Sequence, residues 1–174
     1  GQRIYVFGSM PGEEVLAEVT REYRRYASAR VVEIITASPE RVVAPCPFFG
    51  PCTGCQWQHI NYRYQLQIKN DVVTDALVRI GGFSQPPVTK TIASPEQFGY
   101  RNHARFTVGR RKGELGFVNR DSRRFIPIQK CLLMHPWINE ALAQLQGRCS
   151  ETSQLSIRYG TATGDFLIQP RLRS

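Results

Sequence analysis

Cys46, Cys52 and Cys55 stand in the pattern C-x5-C-x2-C, inside a stretch that also carries Pro45, Pro47, Gly50, Pro51 and Gly54. Such a stretch is neither helix nor strand, because proline fixes φ and removes a backbone donor while glycine lets the chain fold back closely. It buries little apolar area of its own, so something else must hold it. Thiolates three residues apart on a tight loop can reach the same metal. Three leave a zinc or iron–sulfur site one ligand short. Cys131 is the better fourth ligand, since it follows an expected strand and precedes an expected helix; Cys149 lies past that helix. A single cysteine is usually a buried, inert thiol. Three in one Gly/Pro loop point instead to a ligand set. Spacing does not choose between zinc and an iron–sulfur cluster: zinc usually takes paired knuckles, and only one is present. His59, four residues beyond Cys55, reads equally well as a zinc ligand or as an ordinary polar residue beside the loop.

The rest of the composition narrows the class. No apolar run is long enough to span a bilayer, and no segment has the layout of a signal peptide. A reducing cytoplasm is therefore the expected setting, where clustered cysteines more often bind metal than pair as disulfides. Five cysteines, an odd number, also fit a closed disulfide framework poorly. With 174 residues the chain can bury a real core, as one domain or two small ones. Lys and Arg number 23 against 14 Asp and Glu, a formal charge of +9. The excess is local. Residues 1–45 are neutral, with six basic and six acidic side chains, whereas 100–131 hold nine basic residues against Glu114 and Asp121. A surface of that kind attracts polyanions, nucleic acid first among them.

Hydrophobic patterning places the elements. Residues 4–7, 15–20 and 30–35 read as strands, with Gly8 to Gly12 punctuating the first. Three strands are too few to close a small barrel, so a barrel or sheet lacking its first strands is expected there. Asn61 can cap a helix, with Leu66, Val73, Leu77 and Ile80 on one face and Gly81-Gly82 as its stop. Strands follow at 104–108, 115–119 and 125–128, with Lys112-Gly113 as a turn. Pro136 suits the first turn of a helix running to about Gln146 and ended by Gly147. Residues 155–159 and 166–168 read as a final hairpin.

The run Cys46-Pro47-Phe48-Phe49-Gly50-Pro51-Cys52-Thr53-Gly54-Cys55-Gln56-Trp57-Gln58-His59 closely resembles the C-P-x-F-G-x-C-G-G-C-x-x-Q-H signature of the bacterial RNA (uracil-5-)-methyltransferases, in the 23S ribosomal RNA branch that carries a [4Fe–4S] cluster. Thr53 replaces one glycine of the usual pair and leaves all three cysteines in place. Tyr100-Arg101-Asn102-His103-Ala104-Arg105-Phe106 resembles the family's Y-R-N-x-A-R-F strand. Leu115-Gly116-Phe117 and Cys131-Leu132-Leu133-Met134-His135-Pro136 resemble the segments after it.

The resemblance implies an α+β fold. Residues 1–43 would be part of a TRAM domain, an OB-like RNA-binding barrel. Residues 44–174 would be a small α/β iron–sulfur central domain of antiparallel strands and two helices. Cys46, Cys52, Cys55 and Cys131 would hold the [4Fe–4S] cluster, mainly as a structural tie. In the family a cysteine thiolate attacks C6 of a flipped-out uracil and C5 takes a methyl group from S-adenosylmethionine. No glycine-rich nucleotide loop and no D-P-P-R motif occurs here, so the methyl-transfer domain is expected after residue 174. The chain on its own is then expected to be inactive, with no catalytic residue and no S-adenosylmethionine site. Arg101, Arg105, Arg110, Arg111, Lys112, Arg120, Arg123 and Arg124 are the residues expected to meet RNA phosphates. The partner would be RNA, ribosomal RNA above all, and the chain a cytoplasmic monomer that touches no membrane. The competing expectation is a stand-alone nucleic-acid-binding module in which zinc occupies the four-cysteine site.

Overall fold

Phe106 and Leu155 sit opposite one another on neighbouring antiparallel strands, both fully buried, and the larger of two folded bodies is organised around them. A computed structural model describes residues 2–173, so the outermost residues of the two expected domains, Gly1 and Ser174, lie outside the described residues. The elements in chain order are β1 (Arg3–Phe7), β2 (Glu14–Glu22), β3 (Tyr26–Thr36), α1 (Tyr62–Arg79), β4 (His103–Val108), β5 (Leu115–Val118), β6 (Phe125–Pro127), α2 (Pro136–Leu145), β7 (Thr152–Tyr159) and β8 (Phe166–Leu172). This is an α+β protein, mostly strand, with two helices and two sheets. The chain divides into two compact units. One holds the residues through Pro45 together with Gln56–Ala93; the other holds Cys46–Cys55 and the residues from Ser94 onward.

In the first unit β3 lies between β1 and β2, antiparallel to β2 and parallel to β1. The sheet is open, and no barrel closes among the described residues. Its strongest anchor is ionic. Glu13, whose side chain is fully buried, receives Arg41 at 2.7 Å and accepts from the backbone amides of Met10 and Ser38. The Arg41 guanidinium also reaches the Gly8 carbonyl at 2.7 Å, so one pair pins the β1–β2 link to the segment after β3. The bonds from Arg41 hold the Glu13 carboxyl down at about 2, against the opposing push of burial. Asn61 caps α1 as its sequence suggests, its side chain accepting from the Arg63 amide. The face marked by Leu66, Val73, Leu77 and Ile80 is not uniformly covered. Leu66 and Leu77 are half-buried, whereas Val73 and Ile80 are exposed, and no residue of α1 is fully buried.

The second unit is a five-stranded antiparallel sheet in the order β6-β5-β4-β7-β8. Strand alternation sends Ala104, Phe106 and Val108 of β4 and Leu155 and Ile157 of β7 to one face. Ile138, Ala141 and Leu142 of α2 cover that face and complete the core. Pro136 starts α2, with His135 capping the Trp137 amide. Two glycines are required sterically. Gly113 turns β4 into β5 at φ +64°, and a Cβ there would strike the Ser150 amide nitrogen at 2.5 Å. At Gly116 a Cβ would meet the Ile126 carbonyl carbon at 2.8 Å and the Phe125 ring at 2.9 Å. Among the described residues no helix is long and apolar enough to cross a membrane.

Candidate metal centre and nucleic-acid interface

All four cysteines singled out by spacing belong to the second unit, although the loop at 46–55 is far in sequence from the strands it joins. The loop is held there by bonds that involve no thiol side chain. Cys52 bridges Asn119 at the end of β5 through the backbone. Thr53 donates its hydroxyl to the Val118 carbonyl, and the Arg120 amide donates to the Pro51 carbonyl at 2.7 Å. The Arg120 guanidinium reaches the Cys55 carbonyl. Phe48 packs against the hydrophobic core, as does Cys131. Within the loop, the Phe49 amide donates to the Cys46 carbonyl and the Cys52 amide to the Phe48 carbonyl, which gives the chain a tight double turn.

Cys131 is fixed by one side chain of α2. Asn139 accepts from the Cys131 amide at 2.8 Å and donates to the Cys131 carbonyl at 3.0 Å and the Met134 carbonyl at 3.1 Å. The Gly99 and Arg101 amides donate to the Leu132 and Leu133 carbonyls from the other side. Asparagine inside a helix costs propensity, and that is the only sequence signal that could have drawn attention to Asn139.

Burial pushes the Cys52 thiol up in pKa. The Gly54 amide, 3.4 Å from its Sγ, pulls the other way, while Cys131 and Cys46 press in the same direction as burial and Arg120 opposes them. All five cysteines are present as thiols. Among the described residues no three Cys, His, Asp or Glu side chains are drawn closely enough to hold one metal ion. With zinc–sulfur bonds of about 2.3 Å, four thiolates would sit within about 4 Å of one another. A polynuclear cluster is wider and keeps its thiolates farther apart. An all-sulfur donor set is also what iron–sulfur clusters take. The four cysteines match such a group in donor type and belong to one folded unit. His59 belongs to the other unit, buried beside Ser9, Arg41 and Glu13, and burial lowers its pKa. Cys149 is a half-buried thiol against the Leu145 carbonyl, pushed up by burial alone.

The basic residues separate into distinct sites. Arg110, Arg111 and Lys112 are exposed in the β4–β5 turn. Arg123 and Arg124 are exposed in the β5–β6 turn, where Arg123 adopts φ 58° and the Asn119 side chain accepts from the Asp121 and Ser122 amides. These turns lie at opposite ends of β5, roughly 10 Å apart along the strand. Arg105 projects from β4 on the face away from α2. Arg101 and Arg120 are half-buried; the first pairs its backbone with the Cys131 segment, and the second braces the cysteine loop.

No protein-family model matches the chain. Among curated proteins it is similar to an uncharacterized RNA methyltransferase of Gloeobacter violaceus, 38% identical over 146 residues, which is 82% of this chain and 32% of that protein. A second, from Halalkalibacterium halodurans, is 34% identical over 97% of this chain and 40% of its own length. A third, from Aquifex aeolicus, is 36% identical over 84% of this chain and 34% of its own length. The chain is thus a homologue, across most of its own length, of proteins named RNA methyltransferases, and it spans about a third to two-fifths of theirs.

Proposed function

We propose that this chain is the RNA-binding, [4Fe–4S]-carrying part of an S-adenosylmethionine-dependent RNA uracil-C5 methyltransferase that acts on ribosomal RNA. The observation that carries the reading is the presence of Cys46, Cys52, Cys55 and Cys131 in one folded unit, with the loop that bears three of them bonded to the end of β5. Homology to proteins named RNA methyltransferases supports RNA as the substrate.

Residues 1–43 serve in this reading as a TRAM-like RNA-binding element, and within 44–174 the unit formed by Cys46–Cys55 and the residues from Ser94 onward is the part that carries the cluster. Cys46, Cys52, Cys55 and Cys131 hold the cluster, which supplies a covalent tie between the loop and the segment before α2. Asn139 orients the backbone of Cys131, and Arg120 and Asn119 orient the loop. The exposed turns at Arg110–Lys112 and Arg123–Arg124 attract the RNA backbone and hold it for the methyl-transfer residues, which belong to the remainder of the enzyme. The chain itself orients substrate and transfers no group.

The test is iron, acid-labile sulfide and zinc per chain on protein purified without oxygen, with a visible spectrum. About four iron and four sulfide are expected. One zinc without sulfide, in protein never exposed to oxygen or chelator, would overturn the cluster assignment.

A further inference from the structure

The five-stranded sheet has two faces, and α2 covers only one. Strand pairing sets three rows on the other. His103 of β4 stands opposite Arg158 of β7 and Leu167 of β8; Arg105 stands opposite Ser156 and Gln169; Thr107 stands opposite Gln154 and Arg171. The rows contain three arginines and no Asp or Glu, and all three arginines are exposed. Among the described residues none of Arg105, Arg158 and Arg171 is ion-paired. Their neighbour His103 is lowered in pKa, by partial burial first and then by Arg158 and Arg105. Arginines left without acidic partners on a sheet face add nothing to the fold by ion pairing.

Their arrangement selects the ligand. Arg105 and Arg158 are diagonal neighbours on adjacent strands, about 8 Å apart. Arg171 is one strand beyond β7 and displaced the opposite way. Guanidinium groups so spread do not converge on one anion, but each can meet a different phosphate of a polyanion. Toward Arg171 the track leads to the β4–β5 turn, because the neighbouring Arg173 donates to the Val108 and Gly109 carbonyls just before Arg110. Between the arginines lie Ser156, Gln154 and Gln169, short or flexible hydrogen-bonding side chains suited to sugar hydroxyls. No aromatic residue occurs in these three rows; Phe125 of β6, on the same face, is half-buried against Gly116 rather than set among the arginines.

We propose that this open sheet face, through Arg105, Arg158 and Arg171, is a track for the sugar–phosphate backbone of single-stranded RNA, continuous with Arg110–Lys112. The proposal rests on the RNA-binding reading above and adds where the strand lies and what it reads: backbone, not base sequence.

The experiment uses the full chain, purified without oxygen, and 5′-fluorescein 20-nucleotide RNAs, one oligouridine and one of mixed sequence. Affinities are measured by anisotropy from 50 to 300 mM KCl. The variants are R105Q/R158Q/R171Q and its charge-keeping counterpart R105K/R158K/R171K, with R110Q/R111Q/K112Q to test the β4–β5 turn separately. The wild type should bind both RNAs equally within a few-fold. The triple Gln variant should bind at least about tenfold more weakly at low salt, with a log–log salt slope smaller by about 2. The triple Lys variant should recover most of the affinity, which loss of fold would not allow. If the triple Gln variant binds with wild-type affinity and slope while Arg110, Arg111 and Lys112 remain necessary, the track is wrong and RNA binding stands. A wild-type chain that binds neither RNA at 50 mM salt overturns both readings together. Strong preference for one RNA sequence overturns backbone reading alone.

Discussion

The guanidinium of Arg120 donates to the backbone carbonyl of Cys55 across 3.4 Å, while the Arg120 amide donates to Pro51 at 2.7 Å. One residue of the β5–β6 turn thus grips the cysteine loop at both of its final turns. The Arg120→Ala variant should keep the amide contact and lose the other, at a cost of about 1 kcal/mol in urea denaturation. In metal-free protein the Cys55 thiol should react faster with iodoacetamide, while Cys149 should react at the wild-type rate.

Asn139 satisfies three backbone groups around Cys131 with one amide. Asn139→Leu keeps the volume and removes every partner. Stability should fall by about 3 kcal/mol, because buried backbone groups are left unbonded. The iron content of protein purified without oxygen should fall as well, and Asn139→Gln should not restore it.

Cys52→Ala and Cys55→Ala should each abolish metal binding, and Cys149→Ala should leave it intact. Equal metal content in the three variants would remove the four-ligand assignment.

Glu13 gives the first unit its acid response. Its carboxyl titrates at about 2 in the folded protein against an ordinary 4.5. A depressed folded value means the contribution is complete above pH 4.5, declines as pH falls toward 2, and is gone below it. Glu13→Gln should destabilise that unit by about 3 kcal/mol at pH 7, since Arg41 is left half-buried without its carboxylate. The variant should also flatten the pH dependence of amide exchange in β2 and β3 between pH 4.5 and 2.

What could be read in advance was local. Asn61 and Pro136 mark helix starts because capping and φ restriction act within a few residues. Gly113 marks a turn for the same reason. The alternating strands around Ala104 and Leu155 were legible from their period. Long-range choices were not. Nothing in residues 3–7 says that β1 will run parallel to β3, with β2 on the far side. The clamp from Asn139 onto Cys131 depends on a helix folding back over its own preceding loop. The charge cluster at 100–131 was visible as a sum, but only strand register divides it into two turns, a sheet face and a brace. Register also brings in Arg158 and Arg171, which lie outside the basic stretch altogether.

Bonds from Arg120, Thr53 and Asn119 hold the cysteine loop without drawing on any thiol side chain. Its geometry therefore does not wait for a metal, unlike that of small fingers that fold only around zinc. The polypeptide scaffold around the cysteines is thus already braced by its own backbone and side-chain bonds, and metal-free protein should keep this loop folded onto the strands.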